Sequence, residues 1–78
     1  MEFNLQKLRY ERMSRRITQQ EMADALGLNR SSYVKRESGD VKISVDEFSI
    51  ILNRLGIPES EVANFFIHNV PIRERIAE

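Results

Sequence analysis

The chain has 78 residues, 41% hydrophobic and 31% charged, which is ordinary for one small globular domain. Twelve Lys/Arg balance twelve Asp/Glu; there is no cysteine and one histidine, His68. These counts exclude a disulfide staple, a thiolate metal site and a cysteine nucleophile, and one histidine is a poor basis for a zinc site or a Ser-His-Asp triad. Apolar runs such as Ile50–Leu52 are far too short to span a bilayer. The opening "MEFNLQKLRY" lacks the plan of a secretory signal, so the expected compartment is the cytoplasm.

Zero net charge conceals an uneven distribution. Residues 1–39 hold eight Lys/Arg and five Asp/Glu, and residues 40–78 hold four and seven, a split of +3 and −3. A local basic patch, not the total, sets the field a polyanion meets.

In chain order, Asn4–Met13 predicts a first helix, with Leu5, Leu8 and Met13 as its apolar positions. Arg15 and Arg16 fall in the loop after it. Thr18 and Glu21 fit a capping box, which opens a second helix over about Gln19–Leu26 with Met22, Ala23 and Leu26 inward. Gly27 ends it in the left-handed conformation that glycine adopts cheaply. Asn29 suits the N-cap of a third helix, Arg30–Ser38, with Leu28 and Tyr33 inward. Gly39 closes that helix, and "GDVKI" makes a loop. Ser44 and Glu47 form a second capping box, opening a fourth helix with Phe48, Ile51, Leu52 and Leu55 inside. After "LGIP", Pro58 and Glu59 start a fifth helix, whose Val62, Phe65 and Phe66 complete the core. Pro71 ends or kinks that helix. No β-alternation is visible, so the expected class is all-α: five short helices in one compact domain.

The stretch "QQEMADALGLNRSSYVKRESG" joins two short helices through one glycine. The second carries Arg30, Ser31, Ser32, Lys35 and Arg36 but little for a core. That is the helix-turn-helix plan, in which the N-terminal end of the second helix meets base edges in a major groove. Ala23 sits where the helices approach, and a larger side chain would push them apart.

Together with "LRYER" before it and "LNRLGI" after it, this motif resembles the Cro/phage-repressor (XRE) family of helix-turn-helix domains over about residues 5–66. The resemblance implies a five-helix lambda-repressor-like DNA-binding domain over residues 1–69, its motif at about 19–38. Residues 70–78 are then a tail serving as a dimer contact or a linker. It implies a base-reading role for Arg30 and a backbone-binding, supporting role for Gln19. Ser31, Ser32 and Lys35 lie on the same reading face. Asn29 and Lys42 are expected at phosphates, Asn29 while capping. Arg12 and Glu37 match a structural ion pair that pins the reading helix. Arg36 departs from the family habit of an apolar residue there. It must lay its stem on the core and reach outward, or reach a DNA phosphate. Val34 is expected on the exposed side, beside a thymine methyl or simply tolerated.

The leading expectation is therefore a sequence-specific regulator, a repressor, acting as a homodimer on double-stranded operator DNA. No cofactor, metal, membrane or small-molecule ligand is called for. Phe65, Phe66, Ile67, Val70 and Ile72 exceed what one short helix can hide, which marks Phe66, Val70 and Ile72 as dimer contacts. The alternative is a protein-interaction module on the same fold, such as an antitoxin or adaptor, with DNA binding secondary. An enzyme finds no support. Glu21 belongs to a capping box, and glycines 27, 39 and 56 are turn glycines rather than a phosphate loop.

Overall fold

A computed structural model describes residues 2–67, so the predicted dimer contacts Val70 and Ile72, the Pro71 break and the 70–78 tail lie outside the described residues. In chain order the elements are β1 (Glu2–Phe3), α1 (Leu5–Ser14), α2 (Gln19–Leu26), α3 (Arg30–Ser38), α4 (Val45–Leu55), a 3-10 helix (Glu59–Phe65) and β2 (Phe66–Ile67). The architecture is all-α and lambda-repressor-like, with one small exception. β1 and β2 form an antiparallel ladder, Glu2 opposite Ile67 and Phe3 opposite Phe66.

Local chemistry sets the helix boundaries. Both capping boxes are formed in both directions, Thr18 with Glu21 and Ser44 with Glu47. Asn29 Oδ1 accepts the Ser32 amide at 2.8 Å and so caps α3. Gly27 takes φ +70°, and an added Cβ there would meet nothing; the backbone angle alone calls for glycine.

The core gathers Leu8 from α1, Ile17 from the loop before α2, Met22 and Ala23 from α2, Tyr33 from α3, four residues of α4, Ile57 and Phe65. All four phenylalanines cluster at one end. Phe3 meets Phe48 edge-on at 4.8 Å, and Phe48 meets Phe65 at 5.6 Å.

Three expectations are corrected. Met13 is 64% exposed, and Arg12 takes the inward place. From Leu8, four residues advance a helix about 40° past a full turn and five about 140°, so Arg12 and not Met13 shares the buried face. The fifth helix is 3-10 rather than α and stops at Phe65. With three residues per turn, Val62 and Phe65 eclipse on one face, and the chain then turns Phe66 into the ladder. The ladder itself, with two residues to a strand, has no periodic signature.

Candidate nucleic-acid interface

The candidate surface is built on α2 and α3, which meet across Gly27; Ala23 of α2 is fully buried. α3 turns only Tyr33 and Glu37 fully inward. They lie four residues apart, one turn along the same face. The rest of α3 is exposed or half-buried.

A buried carboxylate needs partners, and Glu37 has them. It is 3% exposed and Arg12 is 9% exposed. Arg12 Nε donates to Glu37 Oε2 at 2.8 Å, and Arg12 Nη2 donates to Oε1 at 3.0 Å. The remaining Arg12 nitrogen, Nη1, donates to the Ile17 carbonyl at 2.8 Å. Tyr33 Oη donates to Glu37 Oε2 at 2.6 Å, and Gln19 Nε2 donates to Oε1 at 3.3 Å. Among the described residues no buried side-chain nitrogen or oxygen lacks a partner. Burial pushes the Glu37 carboxyl up, but the hydrogen bonds of Arg12, Tyr33 and Gln19 and the Arg12 charge outweigh it. The group stays below its ordinary value and remains ionised. Burial, and then the Glu37 carboxylate, push the Tyr33 phenol upward, so it stays a donor.

The expected DNA-facing residues fall into three places. Gln19 and Arg30 are joined directly: Arg30 Nη2 donates to Gln19 Oε1 at 3.2 Å. Asn29, Ser31 and Ser32 cluster in the first turn of α3. There Ser31 Oγ donates to the Asn29 oxygen at 3.1 Å, the same oxygen that caps the helix. Lys35 is exposed one turn further along, with no ion pair among the described residues. Lys42 is exposed too, but it stands past the C-terminal end of α3, the opposite end from Arg30.

Arg36, expected to lie along the core or to reach a phosphate, pairs with α4. Its Nε donates to both Glu47 oxygens, at 3.1 and 3.0 Å, and its Nη1 to the Ser32 carbonyl at 3.0 Å. The Arg36 bond, and then the Ser44 amide, hold the Glu47 carboxyl below its ordinary value. Val34 is half-buried rather than exposed. Phe66 is half-buried and lines an open groove of about 630 Å³ with Phe3, Val41, Val45 and Phe48, which Lys42 and Arg36 also line.

A family model described as helix-turn-helix matches residues 8–62, from α1 through most of the 3-10 helix. The chain belongs to that family. It is a helix-turn-helix domain of the Cro/phage-repressor (XRE) type, a family of DNA-binding transcription regulators and not of enzymes. Comparison with curated proteins and with solved structures finds no match. No helix among the described residues is long and apolar enough to cross a membrane. Nor does any group of three His, Asp or Glu among them converge as for a metal.

Two partners in this helix-turn-helix domain went unread in the sequence. Tyr33 was legible only as an inward residue, although a tyrosine in a core position carries a hydroxyl that needs a partner. Glu47 serves the Ser44 capping box and the Arg36 ion pair together, and the first role concealed the second.

Proposed function

We infer that this protein is a sequence-specific DNA-binding repressor that reads a major groove with α3 and acts as a homodimer. The observation that carries the reading is Arg30. It is exposed at the N-terminal end of α3, and its guanidinium is held by the Gln19 side chain. An arginine there can pair with guanine O6 and N7 together. Gln19 keeps an amide hydrogen for a backbone phosphate. Ser31, Ser32 and Lys35 extend the same face, and Lys42 meets the phosphate backbone beyond the helix end. Asn29 keeps its amide nitrogen for phosphate, since its oxygen is committed to the cap. One such domain covers few base pairs, and a two-fold dimer doubles the footprint. The half-buried Phe66, with Val70 and Ile72, is assigned to that contact, and sedimentation at graded concentrations checks it.

The test is selection of bound sites from random duplex DNA at two salt concentrations, with wild type and Arg30→Ala in parallel. Wild type should enrich a two-fold motif with half-sites about one helical turn apart. Arg30→Ala should cost about 1–3 kcal/mol in binding and relax one base pair per half-site. Its melting temperature should stay at the wild-type value, since Arg30 is exposed. Binding without a motif that vanishes at modest salt would leave phosphate attraction alone and sink the reading. A second reading, a protein-interaction module such as an antitoxin, has the open apolar groove at Phe66 in its favour.

A further inference from the structure

Two devices that look separate in the sequence form one continuous chain of hydrogen bonds. Arg12 and Glu37 make the buried ion pair; Gln19 and Arg30 stand at the reading surface. Glu37 Oε1 joins them. It accepts from Arg12 Nη2 at 3.0 Å and from Gln19 Nε2 at 3.3 Å. Gln19 Oε1 then accepts from Arg30 Nη2 at 3.2 Å.

Chemistry fixes the direction of this chain. An ionised carboxylate only accepts, and a guanidinium only donates. Gln19 stands between one of each and has one end of each kind. Its nitrogen must face Glu37 and its oxygen must face Arg30. Turned over, it would set oxygen against oxygen at one end and N–H against N–H at the other. Both bonds would be lost together. The state of Glu37 therefore decides which way Gln19 points, and Gln19 decides where Arg30 Nη2 sits.

We propose that Glu37 is a positioning residue for base recognition, acting through Gln19 on Arg30, and not only a clamp for α3. The inference rests on Arg30 as the base-reading residue. Gln19 occupies one Nη2 hydrogen and leaves four N–H donors, enough for the paired contact to guanine. In water the exposed 3.2 Å bond is weak. Between protein and DNA, with water excluded, the same bond strengthens. A guanidinium already placed loses less rotamer freedom on binding. A base pair that suits the placement gains; one that needs another placement must break the bond. The effect is on discrimination at one base pair. A clamp alone would alter every contact of α3 alike.

The test measures that discrimination. Site selection supplies the preferred duplex, and Arg30→Ala marks the base pair whose preference disappears. The readout is the ratio of affinities for the preferred duplex and for the duplex changed at that pair. Gln19→Glu still accepts from Arg30 but cannot donate to Glu37. Glu37→Gln leaves the Gln19 amide free to turn. Each single variant should lower the ratio about threefold or more, out of the roughly tenfold or greater ratio an arginine–guanine pair carries, with other base pairs unchanged.

Circular dichroism melts establish folding for each variant. If Glu37→Gln does not fold, Gln19→Glu decides. A folded Gln19→Glu with an unchanged ratio overturns the proposal. Equal loss at every base pair also overturns it and leaves Glu37 a clamp. A wild type with no preferred duplex overturns the reading of Arg30 as well, and that result precedes any variant.

Discussion

α3 and α4 are similar in length and anchored in opposite ways. α4 buries Phe48, Ile51, Leu52 and Leu55. α3 buries Tyr33 and Glu37, and the Glu37 carboxylate accepts three hydrogen bonds from other helices, two from Arg12 and one from Gln19, beside one from Tyr33 of its own helix. Apolar attraction has little direction. Hydrogen bonds have narrow limits of distance and angle. A helix that keeps its outer face for a partner has little apolar surface to bury, and α3 is held by bonds that also fix its rotation. The difference separates a helix that must be present from one that must point correctly.

The strongest way to break the comparison is Glu37→Ala. It strands the buried Arg12 guanidinium and should cost about 3–5 kcal/mol, read from urea denaturation. A loss under about 1 kcal/mol would place the pair with exposed ion pairs and remove the contrast. Acid tests the same anchor with a proton. The Glu37 carboxyl is held below its unfolded value, so its stabilisation is complete above about pH 4.3. It is lost as pH falls through the lower folded value. Hydrogen exchange over a pH series should show α3 amides losing protection before those of α4.

Ile51→Ala probes the apolar anchor. Ile51 is fully buried, and its truncation should cost about 2–5 kcal/mol with little dependence on pH. A loss as acid-sensitive as that of Glu37 would mean the two helices are not held differently. The smallest effect belongs to the cap they do not share. Thr18→Ala removes the hydroxyl that opens α2 and should lower the melting free energy by about 1 kcal/mol.

Most of the helical frame was legible because its punctuation is local. Thr18 with Glu21, Ser44 with Glu47, Asn29 and Gly27 each act within a few residues, and a short window of sequence holds all they need. What failed to show was non-local or below any period. Met13 looked apolar and inward because hydropathy cannot see that a guanidinium at Arg12 finds a carboxylate 25 residues away. The resemblance to the Cro/phage-repressor family implied that pair where hydropathy could not. Arg36 and Glu47 meet across two helices, and nothing near either residue announces it. At the proposed reading surface, the motif pointed to Gln19 and Arg30. The hydrogen-bond path through Glu37 needed coordinates, because it depends on which oxygen each donor meets.

The ladder between β1 and β2 bears on how the chain is made. It joins the first described residues to the last, and Phe3 settles among Phe48, Phe65 and Phe66. A ribosome releases the N-terminus first. Phe3 therefore emerges without its partners, and Phe66 follows only after all four α-helices have been synthesised. Closing so long a loop carries the largest entropic cost in the domain and gains nothing from near neighbours. During translation the aromatic end is the last part of the core that can form.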